Sequence, residues 1–352
     1  MKPLDPLPVR QLLNRYHLTP SKGLGQNFLV DDEILSEIVR IAEIPPDSTV
    51  LEIGPGLGGL TRYLAEAADN VVAVELDRRM IPPLKEVLKE LEIDTRYVFM
   101  KASAYWDPKE GSDKNSTWYF DEWGAQWKKP STSFYYDPVG SPLKKASIED
   151  LRYYTWPNPN EKSRFENLDQ EAQAIYDAGY ALGTTVSGVF EQAWYLTGLE
   201  RIMIEIIENP SFVEALLDKV LEILSQQYSN FLDKVGKYLN LFEIWEDISS
   251  QQGPLISPDS YRKIIKPRTR DLIKVIKSKT KAKVALHSCG SVSWAIDDFI
   301  EMGIEVLNPV QVSAAHMDTK ELKKKYGDSM SFWGGIDTQR VLPRGTVKDV
   351  EE

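Results

Sequence analysis

The stretch Val284-Ala285-Leu286-His287-Ser288-Cys289-Gly290 places the single cysteine of the chain two residues after a histidine, at the end of an apolar run. In an extended segment the side chains at i and i+2 share a face, so an imidazole nitrogen and a sulfur would point the same way. Both bind soft or borderline cations, and the pair suits zinc better than calcium or magnesium. His287 and Cys289 are therefore candidate metal ligands. A catalytic zinc takes three protein ligands and keeps one exchangeable position, so a third donor must come from another element. Asp247 and Asp337, each just beyond an apolar run, are carboxylates suited to complete such a site or to orient a substrate, and Gln311 has an amide to hydrogen-bond a substrate carbonyl or amide.

A different chemistry is written near the start of the chain. Thr49-Val50-Leu51-Glu52-Ile53 runs into Gly54-Pro55-Gly56-Leu57-Gly58-Gly59, and Asn70-Val71-Val72-Ala73-Val74-Glu75-Leu76-Asp77 follows. This order is strand, glycine turn, helix, strand and acid. Glycines at Gly54, Gly56 and Gly58 let the backbone approach a ligand, and the helix start offers free N–H groups. Acids about 20 residues after the turn stand where a carboxylate accepts ribose hydroxyls. The segment reads as a nucleotide or S-adenosylmethionine site.

The elements that must hold the His-Ser-Cys stretch come from an alternating pattern. Beyond residue 170, apolar runs at Thr184–Val189, Leu241–Glu246, Lys283–His287, Glu305–Asn308 and Ser331–Gly335 alternate with amphipathic helices. The helices read from Ser211 to Leu232 and from Pro258 to Lys277, capped by Ser211 and Ser257. Such alternation implies a parallel sheet of (β/α)8 type, with chemistry at the carboxyl ends of its strands. The residues there are Glu191, Asp247, His287, Cys289, Asn308, Gln311 and Asp337. Between the halves, Trp106, Trp118, Trp123 and Trp127 read as a loop-rich cap packed by large rings, and Pro138 to Pro159 as an irregular connection.

Composition narrows the functional classes. The net charge is −11, and residues 1–90 alone carry 10 basic and 14 acidic side chains, which makes an RNA partner unlikely on electrostatic grounds. No run is long and apolar enough for a bilayer, so no membrane role is expected. One cysteine excludes an internal disulfide and fits a cytoplasmic location.

Two families are resembled. Leu24-Gly25-Gln26-Asn27-Phe28-Leu29, Leu51-Glu52-Ile53-Gly54-Pro55-Gly56-Leu57-Gly58 and Val74-Glu75-Leu76-Asp77 closely resemble the ribosomal RNA adenine dimethyltransferases. That resemblance implies S-adenosylmethionine held by Gly54, Gly56, Gly58 and Glu75, with Gln26 and Asn27 over its methionine part. It ends near residue 90, and the family's Asn-Leu-Pro-Tyr-like motif for the target base has no counterpart here. From about 91 to 352, Asp121-Glu122-Trp123-Gly124, Tyr153 to Pro159, His287-Ser288-Cys289-Gly290, Leu307 to Gln311 and Phe332 to Gln339 are similar to the uroporphyrinogen decarboxylase superfamily. The His-x-Cys-Gly strand end is similar to its corrinoid-linked methyltransferase branch, in which zinc activates a thiol to accept a methyl group. The decarboxylases' arginine-rich motif is missing.

The resulting expectation is an α/β chain: residues 1–90 form a Rossmann-like methyltransferase half-domain, and 91–352 an incomplete TIM-type barrel lacking its first and last strands. By that resemblance the missing end carries the family's third zinc ligand, a cysteine. The leading function is zinc-dependent methyl transfer from a corrinoid protein to a small thiol. The alternatives are an S-adenosylmethionine-dependent rRNA adenine dimethyltransferase fragment, or a catalytically silent fusion or binding protein.

Overall fold

The structure is a computed structural model that describes residues 7–16, 18, 28–45, 48–68, 70–75, 78–80, 83–84, 95–133 and 135–345. The chain clusters into two compact units, one of Met1–Arg96, Pro130–Tyr135 and Asp337–Glu352, the other of Tyr97–Lys129 and Tyr136–Ile336.

In the first unit, strands β1 (Thr49–Ile53) and β2 (Asn70–Val74) pair in parallel as a two-stranded sheet, with the helix Gly59–Ala67 between them in sequence. The helix Asp32–Ile41 starts where Asp31 accepts hydrogen bonds from the Glu33 and Ile34 N–H groups. Its buried Leu35 and Val39 pack with Tyr63, Leu64 and Val71.

The second unit holds all of two further sheets except Thr95, Arg96 and Pro130 at strand ends. Strand β3 (Thr95–Tyr97) lies at the edge of a six-stranded sheet. A four-stranded antiparallel sheet follows, made of β4 (Glu110–Asp113), β5 (Ser116–Phe120), β6 (Gln126–Pro130) and β7 (Asp137–Gly140). This corrects the expected loop-rich cap; of the expected irregular connection, only Pro138 to Gly140 joins the sheet, and Ser141 to Pro159 runs through turns and one short 3-10 segment. The strands of this sheet are mostly half-exposed, so they lack the apolar alternation that announces a strand. Asp121 stitches the β5–β6 turn by accepting from Trp123 N, Ala125 N and Trp127 Nε1 at 2.9, 2.9 and 2.7 Å.

The large sheet continues through β8 (Ala181–Ser187), β9 (Leu241–Trp245), β10 (Lys283–His287), β11 (Val306–Val310) and β12 (Ser331–Gly334), in the order β12-β11-β10-β9-β8-β3. Pairing from β8 to β12 is parallel throughout. A closing pair between the two edges is absent among the described residues. Phe242, Ile244, Val284, Leu286 and Leu307 are at most 1% exposed and join Phe212, Phe231, Leu272 and Ile273 of the covering helices in one core. Burying each such side chain contributes roughly 1.5–3 kcal/mol. Two helix starts differ in kind. Ser257 caps as expected, accepting from Ser260 N. The long helix runs Pro210–Val235 with Asn209 at its N-cap, so Ser211 already lies inside, because Pro210, which has no N–H to satisfy, suits the first helical position. Gly188 and Val189 likewise leave β8 and open the helix Val189–Thr197.

Candidate metal centre

Parallel register sets the site. Ser187, Trp245, His287 and Asn308 are successive partners across β8, β9, β10 and β11, one row at the carboxyl edge of the sheet. Phe242 and Ile244 turn toward the core, so the alternate residues Glu243 and Trp245 face the same side as His287 and Asn308. The Trp245 and His287 rings lie 5.0 Å apart, and His287 Nδ1 is 2.6 Å from the Asn308 amide.

Past the row the chain turns sharply. Cys289 N donates to Asp247 Oδ1 at 2.7 Å, and Gly290 N donates to Gln311 Oε1 at 2.6 Å. The ends of the neighbouring strands thus clamp the His-Ser-Cys-Gly turn from both sides. Gly290 has φ +89°, and a Cβ there would meet Ser250 O at 2.5 Å, so only glycine fits. The clamp leaves Cys289 Sγ 3.5 Å from His287 Nε2. Donor atoms of Asp247, His287 and Cys289 lie within 4.8 Å of one another.

The surroundings are acidic. Glu191 accepts from Tyr195 OH at 2.5 Å and from Asp247 N at 3.0 Å. Burial raises its carboxyl above the usual range, despite the Tyr195 hydrogen bond, and the charge of Asp247 adds to the rise. Burial, with Asp247 and Glu191 beside it, pushes the Cys289 thiol up to about 12. Unaided, this sulfur keeps its proton. A cation would reverse that, since it replaces the proton and offsets the carboxylates. One nitrogen, one sulfur and one carboxylate oxygen form a donor set that fits zinc and leaves a fourth position open. Beneath them Glu246, pushed up to about 7 chiefly by burial, accepts from Phe190 N, Glu191 N and Thr269 Oγ1 at 3.0, 3.1 and 2.8 Å. It serves as the cap of the helix Val189–Thr197.

The first unit builds its candidate site from backbone. Gly54, Gly56 and Gly58 all have positive φ, and Gly58 precedes the helix Gly59–Ala67. Gly56 N donates to Glu75 Oε2 at 2.9 Å, so the acid at the end of β2 braces the turn. Gln26 and Asn27 lie outside the described residues.

Residues 141–352 match the family model described as uroporphyrinogen decarboxylase. The chain belongs to the uroporphyrinogen decarboxylase family. Residues 19–117 match a second model, ribosomal RNA adenine dimethylase. Among curated proteins, the ribosomal RNA small subunit methyltransferase A of Alkaliphilus metalliredigens is 47% identical over 91 residues, 26% of this chain and 32% of that one. The protein of the same name from Lachnoclostridium phytofermentans is 51% identical over 82 residues, 23% of this chain and 28% of its own. The chain thus spans about a third of the length of these relatives. A solved methyltransferase from Methanosarcina mazei is similar over 92% of this chain and 97% of that chain, at 14% identity and a TM-score of 0.45. No helix among the described residues is long and apolar enough to cross a membrane.

In this uroporphyrinogen decarboxylase-family chain, Asp247, His287 and Cys289 come together. Gln311 accepts from Gly290 N through its carbonyl oxygen, so it holds the turn, and its NH2 group is left to donate to a substrate carbonyl. Asp337 belongs to the first unit, where it accepts from Gln339 N and Arg340 N at 2.8 and 2.9 Å. It is not one of the three clustered donors. Glu243, Trp245 and Tyr195 were missed by sequence reasoning. A glutamate between Phe242 and Ile244 in a sheet strand was the available signal, since burying it demands partners.

Proposed function

We propose that the second unit is a zinc-dependent methyltransferase site that passes a methyl group from a corrinoid protein to a small thiol. The single observation that carries this reading is the convergence of Asp247, His287 and Cys289 within 4.8 Å at the carboxyl ends of β9 and β10. Bound there, zinc would lower the pKa of a substrate thiol in the open position, keeping it a nucleophilic thiolate at neutral pH. The three side chains hold the cation; Asp247 and Gln311 also hold the turn. Trp245, 38% exposed, offers an apolar wall beside the ring of His287. In the transfer, the thiol proton leaves, the sulfur forms the bond to the methyl carbon, and the electron pair of the broken cobalt–carbon bond stays with the corrinoid. The test is metal analysis after dialysis against zinc: about one equivalent in the parent protein and none in Cys289→Ala. A parent protein that retains no zinc removes the reading.

A second reading concerns the first unit. The three positive-φ glycines and the Gly56–Glu75 hydrogen bond favour S-adenosylmethionine binding at the glycine turn. Calorimetric titration should give saturable binding that Glu75→Ala abolishes. Methylation of rRNA is not part of this proposal, since the motif for a target base is missing from the sequence. Failure of both ligands would leave a silent fusion or binding protein.

A further inference from the structure

His287 binds a cation through Nε2 only when that nitrogen carries a lone pair, which in the neutral ring puts the proton on Nδ1. The partner of Nδ1 therefore matters as much as the three donors. That partner is Asn308, which is 3% exposed. One end of its amide lies 2.6 Å from His287 Nδ1 and 3.3 Å from Glu243 Oε1, and the other lies 3.3 Å from Trp333 Nε1. An indole N–H only donates, so the end that meets Trp333 must be the oxygen. The end that meets His287 is then the NH2 group, and its second hydrogen reaches the Glu243 carboxylate, which also accepts from Trp245 Nε1 at 3.2 Å. An NH2 group pointing at Nδ1 requires a lone pair there. The ring proton consequently sits on Nε2, facing Cys289 Sγ at 3.5 Å.

We propose that Asn308 is a positioning residue that sets the tautomer of His287 and thereby controls whether Nε2 is open to a cation. In the metal-free protein the Glu243–Asn308–Trp333 network holds the closed tautomer. Binding moves the ring proton from Nε2 to Nδ1, leaving the proton count of the imidazole unchanged. The Asn308 amide turns over so that Oδ1 accepts from Nδ1–H, and the Cys289 thiol releases its proton to solvent. The turned amide presents its NH2 to Trp333 Nε1–H, donor against donor, so the network opposes the open state. Carboxylate at this position, able to accept at both ends, removes that opposition.

This inference rests on His287 being a cation ligand, and its test separates the two. The chain has three histidines, so nitrogen-15 spectra of the labelled, metal-free protein are assignable with a His287→Gln control. The expected result is a protonated Nε2 and an unprotonated Nδ1 in the parent, a measurement that needs no folded Asn308 variant. In Asn308→Asp the proton should move to Nδ1, and zinc affinity should rise roughly tenfold, the scale on which partners of metal-binding histidines act. A parent ring protonated on Nδ1, or a tautomer unchanged in a folded Asn308→Asp protein, overturns the proposal. Zinc failing to bind either protein, with the tautomer shift present, sinks the ligand reading and leaves the tautomer assignment standing.

Discussion

The two candidate sites are built from different materials. The glycine turn of the first unit uses backbone N–H groups and one acid, all from a single strand–turn–helix–strand unit. The centre of the second unit uses side chains from separate strands, brought into one row by parallel pairing. A backbone site depends on a few glycines and tolerates change around them. A side-chain site depends on register, since a slip of one residue turns every side chain to the other face of the sheet.

That contrast can be broken or sharpened by measurement. The largest effect is expected at the ligands: His287→Ala should lower zinc affinity by more than about a hundredfold, beyond what loss of an outer partner produces, while leaving S-adenosylmethionine binding untouched. Equal loss of both ligands would mean the sites are not independent. Next comes a pH effect that both units share, Glu52 acting in the first and Glu246 in the second. Burial, with Glu75 nearby, pushes Glu52 up to about 7 from 4.5, and its Oε2 has no hydrogen-bond partner. A folded carboxyl that holds its proton more tightly than the unfolded one stabilises less as pH rises through that window. The contribution of Glu52 to stability should therefore fall by about 3 kcal/mol between roughly pH 4.5 and 7. Urea midpoints should fall across this window in the parent and fall by less in Glu52→Gln, where only Glu246 still contributes; a parent midpoint that rises across the window would refute the burial argument.

Paired glycine substitutions should then differ between the regions. Gly290→Ala combines positive φ with a 2.5 Å approach to Ser250 O, whereas at Gly54, φ +73°, a Cβ meets nothing within 4 Å. Costs of about 3 and about 1 kcal/mol are expected, since only the first adds a clash to the left-handed penalty. Matching costs would show that the crowding around Gly290 relaxes. The smallest effect belongs to Gln311→Ala, which leaves Gly290 N without its acceptor and should cost about 1 kcal/mol. Raised KM for the thiol with unchanged stability would assign Gln311 to substrate binding and not to the turn.

Much of this was written in the sequence, and the unread part has a common cause. Five strands of the large sheet and the pair His287–Cys289 follow from local pattern, because apolar periodicity and i, i+2 spacing are properties of a short segment. Asp247 was reachable as the acid after an apolar run. The roles of Glu243 and Asn308 were not, because register between strands decides which side chains meet, and no single segment encodes it. The antiparallel sheet escaped notice because Ser116–Phe120 and Gln126–Pro130 are half-exposed on both faces. The bond from Gly290 N to the Gln311 oxygen was likewise not legible, because it joins two strand ends 21 residues apart.

The clamp on the His-Ser-Cys-Gly turn also bears on how fast a bound ion would exchange. With Asp247 gripping Cys289 N and Gln311 gripping Gly290 N, the donors hold their spacing before any ligand arrives. Little ordering then remains for the binding step. If that spacing governs release, the lifetime of the ion should track the protection of the Cys289 and Gly290 amides against hydrogen exchange, because both depend on the same two hydrogen bonds.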